Sequence, residues 1–190
     1  MTRPLILGFD TSAAHCAAAL VRGDQTLVAR GEPMAKGQAE RLMDLLQEVL
    51  AAEGVTWQDL SALAVGIGPG NFTGIRIGVS AARGLALGLG IPAYGVTGFE
   101  ARQRLAPEGT IVAIPAPRAM AYFMSGATAQ IVPLASIAAP APEPEPAALA
   151  QAIAAHASTV WPAQVAAPAP YYVRPPDAAP ARDAAPTLLP

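Results

Sequence analysis

The stretch that most constrains this chain is residues 65–78, VGIGPGNFTGIRIG, with five glycines and a proline between an apolar run and a helix-like one. A strand that turns so sharply into a helix can leave backbone N–H groups free to hold an anion. It can equally let another backbone come close, since glycine carries no Cβ. The anion reading needs companions that are missing. Residues 68–74 (GPGNFTG) lack the Lys-Ser/Thr ending of a P-loop, and Gly68, Gly70 and Gly74 stand two and four apart, unlike a G-x-G-x-x-G fingerprint. Thr73 is expected to cap the helix that follows.

A second place for a phosphate is the end of the first apolar run, FDTS, where Asp10, Thr11 and Ser12 are the candidate cofactor-binding residues. An acid beside such a hairpin can help to hold magnesium, although Asp-Thr-Ser is also common turn chemistry. An enzyme built this way needs a second acid and a second glycine loop further on. No Asp or Glu occurs between Gly109 and Pro142, which argues against ATP hydrolysis by this chain alone. His15 and His156 are far apart without paired ligand candidates and are expected to be surface or turn residues. Cys16, the one cysteine, reads as a small apolar strand residue and leaves no internal disulfide or Cys-based zinc cage. There is no G-x-S-x-G elbow and no pair of carboxylates in an acid–base setting.

The order of elements gives the fold class. Residues 5–11 (LILGFDT), 16–21 (CAAALV) and 26–30 (TLVAR) read as a meander of three strands. Helical periodicity follows at 38–53, a buried strand at 63–67, a helix at 74–90, a short strand at 91–96 and a helix at 97–105 capped by Thr97. This βββαβαβα order is that of a ribonuclease-H-like α/β lobe, the building block of actin-like kinases and ATPases. Residues 1–106 are assigned to it. Residues 107–170 form a reduced second α/β lobe: strands at 111–114, 122–125 and 130–134, an Ala/Pro-rich linker at 138–146 (AAPAPEPEP), and an Ala-rich helix at 147–157. Residues 171–190 are a proline-rich tail. With 53% hydrophobic residues a sizeable core is expected, and 12 basic against 14 acidic residues, without a basic block, do not suit tight nucleic-acid binding by this chain alone. No apolar run is long enough to span a bilayer and the N-terminus turns polar by Asp10, so the expectation is a cytoplasmic protein without a membrane role.

Two helices carry more apolar surface than one sheet needs. In the first, Leu42, Met43, Leu45, Leu46, Val49 and Leu50 spread over roughly 160° of arc, where about 100° suffices for packing. In the second, only Arg76, Ser80 and Arg83 are polar between Ile75 and Leu89. Ile75, Val79, Ala82, Ala86 and Leu89 make a face for the sheet. Gly74, Ile77, Gly78, Ala81, Gly84, Leu85 and Gly88 cover the flank beside it. Each glycine inside a helix costs about 1 kcal/mol relative to alanine, and close approach of another backbone offsets such a cost. The expected partner interface is therefore Leu42, Met43, Leu46 and Leu50 with that flank, met by a helix from another subunit.

Four segments resemble one known family: residues 7–12 (LGFDTS), 38–42 (QAERL), 66–78 (GIGPGNFTGIRIG) and 84–88 (GLALG). They are similar to the TsaB family, bacterial actin-like subunits of the machinery that makes N6-threonylcarbamoyladenosine in tRNA, and the likeness runs over residues 4–126. The closing run 170–177 (PYYVRPPD) resembles the family's C-terminal tail, which implies a complete chain. The resemblance implies a non-catalytic subunit that dimerises with TsaD, a paralogue that transfers the threonylcarbamoyl group to adenosine beside the anticodon. It further implies that TsaE joins the pair, that ATP and a metal belong to the partner subunits, that tRNA is met only within the complex, and that the isolated chain forms homodimers. Two departures stand out: Gln38 replaces a histidine common in the first helix, and IPAPR at 114–118 retains Arg118 but lacks the acid of the usual D-A-R segment. The rival reading is a small actin-like ATPase or kinase using Asp10, Thr11, Ser12 and the glycine loop. A third is a direct tRNA binder.

Overall fold

The computed structural model describes residues 3–173. Strands β1 (Leu5–Asp10), β2 (His15–Arg22) and β3 (Gln25–Pro33) form the antiparallel meander, and β4 (Ala62–Gly66) and β5 (Ala93–Val96) join it in parallel. The spatial order is β3-β2-β1-β4-β5, so β1 is flanked on both edges and every residue of it is buried. Side chains alternate along it. Leu5, Leu7 and Phe9 face one layer, built from α1 (Gln38–Ala52) and α2 (Phe72–Leu89), together with Leu42, Leu46, Leu50 and Val65. Ile6 faces the opposite layer with Ala64, Leu149 and Ile153.

That opposite layer consists of α3 (Gly98–Leu105) and α4 (Pro146–Val160). The sequence grouped α4 with the second lobe, yet it lies across β1, β2, β3 and β4. Small residues make this possible: Ala17, Ala19 and Ala150 form one buried cluster, and a Cβ on Gly8 would stand only 2.6 Å from the Cβ of Ala154. The second lobe proper is the antiparallel sheet of β6 (Ala113–Ala116), β7 (Met120–Ser125) and β8 (Thr128–Pro133). Its linker to α4 is pinned where the Ala141 N–H donates to the Ile111 carbonyl at 2.8 Å.

The helix ends follow local chemistry. Thr97 caps α3 in a reciprocal capping box with Glu100, as expected. The cap of α2 is Asn71 rather than Thr73: its side chain accepts the Gly74 N–H at 2.9 Å, because the helix begins at Phe72 and Thr73 already lies inside the first turn.

Candidate functional site

The turn between β1 and β2 and the glycine loop that opens α2 meet face to face. Asp10 is 1% exposed at the end of β1, and its carboxylate takes three hydrogen bonds. His15 Nε2 stands 2.7 Å from Oδ2, Ser12 Oγ donates to the same oxygen at 3.0 Å, and the Ser12 N–H donates to Oδ1 at 3.2 Å. Burial pushes the Asp10 pKa up, but the His15 hydrogen bond and charge, with the two Ser12 bonds, outweigh it and hold the carboxyl below its usual range. His15 is therefore a buried partner of Asp10, not the surface or turn residue expected, because the turn is short enough to fold the start of β2 back over the end of β1. The signal in the sequence was an acid closing one strand and a histidine opening the next.

Thr11 and Ser12 are spent on the glycine loop. Thr11 Oγ1 donates to the Gly74 carbonyl at 2.7 Å, and the Ser12 carbonyl accepts the Asn71 N–H at 2.6 Å. Glycine is what permits this contact. A Cβ on Gly66 would collide with the Asp10 carboxylate, one on Gly70 with the Ser12 carbonyl, and one on Gly74 with the Thr11 carbonyl. A Cβ on Gly78 would stand 2.8 Å from Thr11 Oγ1. Where a phosphate cradle needs free donors, this loop is packed on its own chain's hairpin. The arrangement also lacks a nucleophile–base pair, since Ser12 gives its hydrogen bond to the carboxylate and not to the imidazole. Among the described residues no third His, Cys, Asp or Glu groups with Asp10 and His15. Burial, helped by the nearby Glu32 charge, pushes the Cys16 thiol up to about 11 and leaves it inert.

Beside the hairpin a cleft of about 640 Å³ separates the lobes, with Ser12, His15, Asn71, Tyr122, Arg102 and Glu143 among its lining. Its charges are already matched in pairs. Arg102, 5% exposed, is ion-paired with Glu143 of the linker, and its Nη1 also donates to the Gly98 carbonyl at 3.2 Å. Neither Asn71 nor Arg102 was singled out by sequence, since no local pattern marks a cap or a contact across 41 residues.

The interface candidates divide into two groups. Leu42, Leu46 and Leu50 are at most 1% exposed within the chain's own core, and Gly74 and Gly78 face Thr11. The five belong to the monomer's packing and are covered before any partner arrives. Met43 is 43% exposed. Ile77, Ala81 and Leu85 are partly buried, and Gly84 and Gly88 are open, with nothing among the described residues within 4 Å of where a Cβ would stand. Leu87, absent from the expected interface, is 87% exposed. Its position in line with the polar residues of α2 kept it out of the predicted flank.

Fold and site together define a ribonuclease-H-like lobe of the actin-like class whose β1–β2 hairpin is closed by its own glycine loop. Residues 32–134 match the family model described as TsaD, tRNA N6-adenosine threonylcarbamoyltransferase, and the chain belongs to that family. Within it the likeness is to TsaB. The TsaB protein of Escherichia coli (strain K12) is 41% identical over 92 residues, 48% of this chain and 39% of that protein. Haemophilus influenzae TsaB is 34% identical over 124 residues, 62% of this chain and 52% of that protein. The chain thus spans about half the length, or less, of these curated relatives. Among solved structures, YeaZ from Pseudomonas aeruginosa superposes with a TM-score of 0.66 at 24% identity, over 83% of this chain and 92% of that one, a likeness of fold. A Pseudomonas aeruginosa protein described as similar to peptidase YEAZ gives a TM-score of 0.60 at 27% identity, over 72% and 70%.

Proposed function

We propose that this chain is a non-catalytic subunit in the making of N6-threonylcarbamoyladenosine in tRNA, pairing with TsaD through α1 and α2. One observation carries the reading: the outer flank of α2 keeps open glycines at Gly84 and Gly88 that nothing among the described residues fills. Glycine at those two positions weakens the helix without serving the monomer. A partner helix that lies against them accounts for both. The closed hairpin supports the same division of labour, since Asp10, Thr11 and Ser12 are already engaged within the chain. ATP and metal then belong to the partner subunits, with TsaE joining the pair and tRNA met by the assembly. The same flank would hold two copies of this chain together when TsaD is absent.

The test is co-purification with TsaD. Gly84→Glu or Gly88→Glu should abolish co-elution while the circular dichroism and melting temperature of the isolated chain stay near wild type. Normal co-elution of both variants would remove this interface. Gly78 is the wrong place for that test, because a side chain there strikes Thr11. Calorimetry with Mg-ATP addresses the rival nucleotide reading: tight binding lost in Asp10→Ala would favour an ATPase or kinase.

A further inference from the structure

Stepping about 100° per residue along α2 separates its outer surface into two rows. Ile77, Ala81, Gly84 and Gly88 make one. Arg76, Ser80, Arg83 and Leu87 make the other, about 90° round the helix, so this second row stays beside the proposed pairing face and not within it. No acid occurs in α2. Among the described residues the arginines paired with carboxylates are Arg3, Arg30, Arg41 and Arg102, so neither Arg76 nor Arg83 has a carboxylate partner there. The two arginines lie about 10 Å apart along the axis. Between them runs a groove of about 480 Å³ lined by Arg76, Val79, Ser80, Arg83 and Pro170.

The head of the row is organised in advance. The Arg76 guanidinium sits over the Phe72 ring at 3.7 Å, and Phe72 stacks on Tyr172 with centroids 4.9 Å apart. Arg76 Nε donates to the Tyr172 hydroxyl at 3.1 Å, which fixes the planar group and leaves its Nη groups without a partner among the described residues. A fixed arginine on a stacked aromatic pair, followed by a hydroxyl and a second unpaired arginine, matches how proteins hold an RNA strand: charge for the phosphates and flat faces for bases. The aromatic pair holds the guanidinium for any polyanion, and of the polyanions RNA is the one that the proposed role in tRNA modification brings to this chain.

We propose that Arg76, Ser80 and Arg83, with Phe72 and Tyr172 at their head, form a strip that contacts the phosphate backbone of RNA. The inference rests on the proposed role in tRNA modification. Two arginines are too few for tight binding alone, so the strip supplements a partner's surface. The test measures affinity for a tRNA transcript against salt, using the purified pair of this chain with TsaD. Arg83→Gln and the double variant Arg76→Gln/Arg83→Gln are compared with wild type; Arg83→Gln leaves the Phe72–Tyr172 packing untouched. Each lost phosphate contact should lower the slope of log affinity against log salt by about 0.7–0.9, with co-elution of the subunits unchanged. Unaltered slope and affinity in both variants would overturn the strip. So would a loss of RNA affinity explained wholly by loss of TsaD, which would make the row a protein contact. If the wild-type chain fails to co-elute with TsaD, the pairing reading falls by itself. The slope is then read on the isolated chain at low salt, where an unchanged slope in the double variant again overturns the strip.

Discussion

Asp10 is a carboxylate closed off from water, and a histidine five residues on is one of its hydrogen-bond partners. Removing that partner should leave the buried carboxylate one hydrogen bond short, so His15→Ala is expected to cost about 1–3 kcal/mol, read as a lower urea midpoint at neutral pH. The pH dependence has a definite sign. The folded Asp10 titrates below its unfolded value of 3.8. Its contribution is therefore complete above that pH and is lost as pH falls through the lower folded value. Wild type should lose urea resistance more steeply below pH 3.8 than Asp10→Asn does; parallel curves would show that the carboxyl is not coupled to folding. This pair was only partly legible in the sequence. Asp10 stands out in the sequence as an acid at a strand end, while His15 has no ligand-spaced companion and meets Asp10 only through the closure of strand on strand. Gln38 shows the same limit: it ties α1 to the hairpin region, donating to the Met34 carbonyl at 3.2 Å and the Ala13 carbonyl at 3.4 Å.

The elements themselves were readable, because each period is long enough to register. What the period could not separate was one small residue from another along α2. Gly74 and Gly78 sit against the hairpin and Gly84 and Gly88 sit in open space, although all four share the pattern of a small-faced helix. Their substitutions should move stability in opposite directions. Gly74→Ala forces a methyl into the Thr11 carbonyl and should destabilise the chain by about 1–3 kcal/mol, as overpacking does. Gly84→Ala meets nothing and should stabilise the isolated chain by about 1 kcal/mol through helix propensity. If a partner backbone passes close by, that same alanine should weaken pairing with TsaD. Denaturant midpoints for the isolated variants and titrations of the pair measure the two effects separately. A Gly84→Ala variant that is both more stable and equally well paired would mean that no backbone approaches there.

At the scale of the molecule, the three layers depend on a helix, α4, that begins at Pro146, long after the sheet it covers is completed by β5 at Val96. The sequence hid this because α4 is mostly alanine, which fits a second lobe as readily as it fits the small residues of β1 and β2. The linker that brings α4 back is held at Glu143, whose side chain is 43% exposed while Arg102 beneath it is 6% exposed. The ion pair therefore does more to satisfy a buried guanidinium than to add surface attraction. Glu143→Gln replaces the carboxylate by a neutral amide oxygen and leaves the buried Arg102 guanidinium with neutral acceptors alone among the described residues, at a cost of about 1–3 kcal/mol. Amide hydrogen exchange should quicken across residues 138–145 while α1 and the interior of β1, buried together in the core, stay protected. Uniform loss of protection would show that the lobes and linker unfold as one unit. Unchanged exchange in the linker would show that the Ala141–Ile111 hydrogen bond and the packing of α4 hold it without the ion pair.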